Sequence, residues 1–99
     1  MTQSVVKSAA RVLEVFEFFA ERKAGATVND VCTSLGYPQS STSVLLKCLH
    51  SLGYLDYEAS TRHYAPSARV RALGEWIAEA TEATTAGEPV FSREAAAYA

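Results

Sequence analysis

The chain has 99 residues, 48% of them hydrophobic, with two cysteines and a formal net charge of −2. That length bounds it to one small domain with a short appendage, and no apolar run approaches the ~20 residues of a membrane-spanning helix. The N-terminus lacks the basic start and apolar block of a signal peptide, so a cytoplasmic protein with no membrane partner is expected. The negative charge is unevenly spread. Residues 1–72 carry eight Lys/Arg against six Asp/Glu, whereas residues 73–99 carry one Arg against five Glu. An acidic tail therefore masks a mildly basic first part.

A first helix is expected over residues 5–23. Ala9, Leu13, Phe16 and Ala20 form one apolar stripe, and Val5, Val12, Val15 and Phe19 form a second beside it. A helix of a small domain needs one stripe for its own core, so the second is expected to meet a partner chain. Gly25 closes this segment. Thr27 then opens a short second helix, where Thr27 and Asp30 approximate a capping box with Asp in place of the usual Glu. Gly36 suits a left-handed C-cap, and Pro38 ends one helix and prepares the next.

The third helix, about residues 40–52, opens on a run of hydroxyls. Thr42, Leu45, Leu49 and Leu52 keep core spacing with Leu46 beside them, while Ser40, Ser43, Val44, Lys47 and Ser51 take the other face. Gly53 stops it. Residues 54–58 alternate as a half-buried strand, Ala59, Ser60 and Thr61 turn, and residues 62–65 return as far as Pro66. A fourth helix is expected over 68–86, with Val70, Leu73, Ile77, Ala80 and Thr84 along one side and Trp76 beside them. It is bounded by Gly87 and Pro89, with a short tail over 88–99. Cys32 and Cys48 are too far apart for a CxxC motif and sit in apolar stripes, so both are expected to be buried, reduced core residues.

A short helix, a tight turn, a hydroxyl-rich helix and a hairpin form the layout of a helix-turn-helix with a wing. The expected fold is therefore mainly α with one small β-hairpin. A winged helix-turn-helix domain spans residues 4–67, a linker or dimerisation helix 68–87, and a tail 88–99. The order of motifs resembles the DNA-binding domain of IclR-type transcriptional regulators over about residues 4–80. Residues 6–16 (Val-Lys-Ser-Ala-Ala-Arg-Val-Leu-Glu-Val-Phe) are similar to that family's opening helix, and residues 28–38 to its positioning helix and turn. Residues 39–46 (Gln-Ser-Ser-Thr-Ser-Val-Leu-Leu) resemble its recognition helix, Gly53-Tyr54-Leu55 and Tyr64-Ala65-Pro66 its wing, and residues 69–74 the start of its linker helix. Two positions depart: the family's Lys and Arg of the recognition helix fall at Gln39 and Val44. The family's effector-binding domain is not found within these 99 residues, so either a stand-alone module or a truncated regulator is expected.

The resemblance implies a transcriptional regulator that binds operator DNA as a homodimer, with mixed dimers with a full-length relative as a further partner. The expected DNA contacts are Ser40, Ser41 and Ser43 at the helix start, Gln39 toward adenine, and Lys47, Lys7 and Arg11 on phosphates. Arg62 and His63 are expected at the wing tip. The expected dimer contacts are Val5, Val12, Val15, Phe19, Leu73, Trp76, Ile77 and Ala80. No glycine-flanked nucleophile, metal-ligand spacing or phosphate loop is present, so neither catalysis nor a cofactor is expected. The competing expectation is a winged-helix protein-interaction module that has lost DNA binding.

Overall fold

The computed structural model describes residues 6–80, with side chains as far as Ile77. Val5, the side chain of Ala80, the expected helix beyond residue 80 with its Gly87–Pro89 boundary, and the tail 88–99 lie outside the described residues. The elements run α1 (Lys7–Arg22), α2 (Val28–Leu35), α3 (Gln39–Ser51), β1 (Leu55–Glu58), β2 (His63–Pro66) and α4 (Ala68–Ala80). The chain divides after Ser67 into two units.

Local chemistry sets most of the boundaries in the first unit. Thr27 Oγ1 accepts from Asp30 N–H at 3.1 Å and Asp30 Oδ2 accepts from Thr27 N–H at 3.0 Å, so the capping box at the start of α2 is complete. Gly36 ends α2 in the left-handed region at φ 72°. α1 stops at Lys23, itself left-handed at φ 57°, whose N–H bonds Phe19 O at 2.8 Å. Gly25, expected to close the helix, serves a different purpose. Ala26 and Tyr64 exchange both backbone hydrogen bonds, at 2.9 and 2.7 Å, which pins the α1–α2 connection to the hairpin. A Cβ on Gly25 would lie 3.2 Å from Tyr64 O, a tight contact that glycine avoids. The hairpin is antiparallel, with Leu55 opposite Pro66 and Tyr57 opposite Tyr64.

The core of this unit joins Val15 and Phe19 of α1, Ala26, Val31 of α2, Leu46 and Leu49 of α3, Leu55 of β1 and Tyr64 of β2. Thr42 is also buried, and its hydroxyl donates to Pro38 O at 2.8 Å. Three expectations are corrected here. Val15 and Phe19 are core residues and offer nothing to a partner, and Val12 is half-buried against the same core. Of the two stripes on α1, the one with two valines and Phe19, joined by Phe16, holds more apolar area and takes the interior. The stripe left outside contains Ala9, Leu13 and Ala20. Cys32 is buried as expected, but Cys48 is exposed. Cys48 follows Leu46 by two residues, so it lies about 160° around α3 from that core position. Leu52 falls past the end of α3 and is 57% exposed.

Thr27→Ala is expected to destabilise the domain by about 1 kcal/mol, measured by urea denaturation. The Asp30 carboxyl is held below its ordinary value of 3.8, by the Thr27 backbone N–H first and the Thr27 hydroxyl second, with Arg22 and His63 adding less. A carboxylate depressed in the folded state contributes stability above its unfolded pKa and loses it as pH falls through its folded pKa. The wild type should therefore weaken below about pH 4. Thr27→Ala should show a smaller acid loss, because the hydroxyl's share of the depression is removed while the backbone bond remains.

The second unit, taken by itself, presents α4 with Arg71 and Glu75 paired at 3.7 Å one turn apart. Leu73, Trp76 and Ile77, at i, i+3 and i+4 along one side, are exposed. Among the described residues no helix is long and apolar enough to cross a membrane, and no group of His, Cys, Asp or Glu could hold a metal ion.

Candidate nucleic-acid interface

The face of α3 opposite Thr42, Leu46 and Leu49 carries Ser40, Val44, Lys47, Cys48 and Ser51, all exposed. This ridge has a hollow on each side. On the hairpin side, Gln39, Ser43 and Lys47 of α3 meet Asn29 from the first turn of α2, Tyr57 of β1 and Arg62 of the hairpin turn. On the α1 side, Ser41, Val44 and Cys48 of α3 meet Lys7, Arg11 and Tyr37. Each flank of the ridge thus holds two cations, one pair from Lys47 and Arg62 and the other from Lys7 and Arg11.

The cations are placed by local structure. Arg62 has φ 60°, a left-handed conformation that costs a non-glycine residue on the order of 1 kcal/mol. Beside it, Ser60 donates through Oγ at 2.7 Å and N–H at 3.4 Å to Glu58, which holds the Glu58 carboxyl below its ordinary range. The Arg11 guanidinium lies 4.7 Å above the Tyr37 ring centroid, a cation–π contact that limits where the charge can sit. The Tyr37 hydroxyl is buried and has no hydrogen-bond partner among the described residues.

The helix starts differ. α2 has its full capping box, whereas α1 begins at Val6 and α3 at Pro38 with no side-chain cap and no acidic residue in the first turn. The hydroxyls at the start of α3 do not cap it: Ser41 Oγ and Thr42 Oγ1 both donate back to Pro38 O, at 3.2 and 2.8 Å. Lys7 occupies the first turn of α1, the positive end of the helix dipole, where a cation is unfavourable for the helix. Glu14, Glu17 and Glu21 instead line a separate groove with Arg22, Ser34 and Leu35.

The structure therefore brings Gln39, Ser43, Lys47 and Arg62 together, places Lys7, Arg11 and Ser41 together, and sets Ser40 on the ridge. His63 stands apart. Its Nδ1 donates to Thr61 O at 2.9 Å and it is half-buried beside Gly25, so it belongs to the packing of the hairpin rather than to either hollow. Asn29, Tyr57 and Tyr37 were not singled out from the sequence. Tyr57 could have been, because it lies two residues beyond the buried Leu55 and so on the same face of the strand. Its ring stacks on Tyr64 with centroids 4.6 Å apart. Asn29 and Tyr37 reach the hollows only through tertiary packing.

Three packed helices, with a hairpin directly after the third, define a winged helix-turn-helix. The chain belongs to the IclR helix-turn-helix domain family, whose profile matches residues 8–59, from the first turns of α1 into the hairpin. That family supplies the DNA-binding modules of transcription regulators. Two solved structures share the fold. An IclR transcriptional regulator from Alicyclobacillus acidocaldarius is 21% identical, with a TM-score of 0.71 over 76% of this chain and 30% of its own. HmgR from Pseudomonas aeruginosa is 22% identical, with a TM-score of 0.68 over 78% of this chain and 33% of its own. The chain thus spans about a third of the length of these two relatives. Comparison with curated proteins gave no match.

Proposed function

We propose that this chain binds double-stranded operator DNA as a homodimer and regulates transcription. The observation that carries the reading is the exposed ridge of α3 between two pairs of cations. A major groove about 12 Å wide admits one helix and has a phosphate backbone along each wall. A helix with basic groups on both flanks matches that geometry. In this reading Lys47 and Arg62 hold one backbone while Lys7 and Arg11 hold the other. The uncapped starts of α1 and α3 offer backbone N–H groups to phosphate oxygens. Gln39 carries the paired donor and acceptor that adenine presents in the major groove.

Binding of random and self-upstream duplexes, measured at several salt concentrations, tests this. Enrichment of one palindromic site, with affinity falling as salt rises, is the expected result. No binding at low salt would overturn it and turn attention to a protein partner.

The homodimer rests on Leu73, Trp76 and Ile77, three large apolar side chains left exposed on one side of α4. A two-fold interface through α4 would set the spacing of the half-sites. Leu73→Ala with Trp76→Ala should shift the protein from dimer to monomer in sedimentation equilibrium and weaken binding to the palindrome more than to an isolated half-site. An unchanged mass would reject this surface. The same side of α4 admits a mixed dimer with a full-length relative, which recovery of homodimers alone from the native host would argue against.

A further inference from the structure

We propose that Val44 reads the 5-methyl group of a thymine in each half-site of the operator; the inference rests on the DNA-binding reading above. Val44 is 68% exposed and sits in the middle of α3, opposite the buried Thr42, Leu46 and Leu49. Its neighbours one turn away on the same face are Ser40, Lys47 and Cys48. It is therefore the large aliphatic side chain at the centre of a ridge that is otherwise short, polar or charged. Helix stability does not account for it. A β-branched residue loses rotamer freedom in a helix, and in this position no core contact compensates.

The flanking cations fix what such a group would face. With Lys7 and Arg11 on one phosphate backbone and Lys47 and Arg62 on the other, the centre of the ridge lies over the base edges. The major-groove edges present donors, acceptors and one apolar group, the thymine methyl. An aliphatic group held there by a stiff χ1 gains affinity only from that methyl. Opposite cytosine it would cover the N4 amino donor, and opposite guanine the O6 and N7 acceptors, without offering a hydrogen bond in return. The half-site is then expected to carry a thymine at the step under Val44 and to reject G·C there.

The test uses the operator recovered by selection, with thymidine replaced by deoxyuridine one position at a time. Deoxyuridine pairs identically and lacks only the methyl. For the wild type, one position per half-site should lose about fourfold on this replacement, and both half-sites together about 15-fold. Val44→Ser should lose a similar factor on the thymine duplex and become indifferent to deoxyuridine at that position. Val44→Thr, which keeps a γ-methyl, should retain the discrimination. Val, Ser and Thr have similar helix propensities, so all three proteins should fold alike. Tight operator binding with no deoxyuridine penalty at any position, or a penalty that persists in Val44→Ser, overturns the role of Val44 and leaves the DNA reading intact. Absence of binding to any duplex overturns both.

Discussion

Neutralising the two cations on either flank of α3 should lower operator affinity by on the order of 10²–10³-fold at ~0.15 M salt. The double variants are Lys7→Ala with Arg11→Ala, and Lys47→Ala with Arg62→Ala. In a dimer each removes four positive charges. At about 0.9 counterions released per phosphate contact, the slope of log affinity against log salt should become shallower by about 3.6. The equality of the two flanks is what makes the prediction specific. A helix lying across one backbone would depend on one pair and ignore the other. Arg22→Ala is the control. Arg22 is also an exposed cation of this unit, but it bonds Gly25 O at 2.9 Å and pairs with Asp30 at 3.4 Å, away from both hollows. Its removal should leave the slope unchanged. A slope unaltered in either double variant would reject the two-rail geometry.

Leu46→Ala should destabilise the domain by roughly 2–5 kcal/mol, enough to leave much of a small domain unfolded. Leu46 is fully buried where α3 meets the rest of the core. Truncation leaves a cavity that neighbours on three helices and the hairpin cannot close together. The loss should appear as a lower urea midpoint, with DNA binding falling in parallel. Leu52→Ala, in a residue that is 57% exposed, should change stability by no more than about 0.5 kcal/mol. A comparable loss in both variants would mean that the core is not organised around Leu46.

Those two leucines mark where the sequence stopped being readable. The turn chemistry was legible because it is local: Thr27 and Asp30 cap α2, Gly36 takes a positive φ, and the hairpin follows Gly53 as its alternation requires. Which leucine of α3 faces inward was less so. Leu45, Leu46, Leu49 and Leu52 share an arc of about 120°, and only the packing of α1 and the hairpin decides which of them lies deepest. The same ambiguity reversed the two stripes of α1 and placed Cys48 inside. At the site, residue types and elements were readable for Lys47, Gln39 and Ser43. The separation of Arg62 from its neighbour His63 was not. It depends on a left-handed turn residue, which sequence gives no reason to expect at an arginine.

The double hydrogen bond between Ala26 and Tyr64 has a consequence for how tightly the molecule can hold a ligand. A two-stranded hairpin alone is a marginal structure that fluctuates in water. Here its second strand is tied to the segment between α1 and α2, which holds the hairpin bearing Arg62 against the helices bearing Lys7, Arg11 and Lys47. The spacing between the two sets of charges is built in before any encounter. Association then needs little ordering of the hairpin, and the associated entropy loss is incurred during folding rather than on binding. On the proposed DNA-binding reading, the molecule would meet its target as a caliper of fixed opening, responsive to the width of the groove it spans.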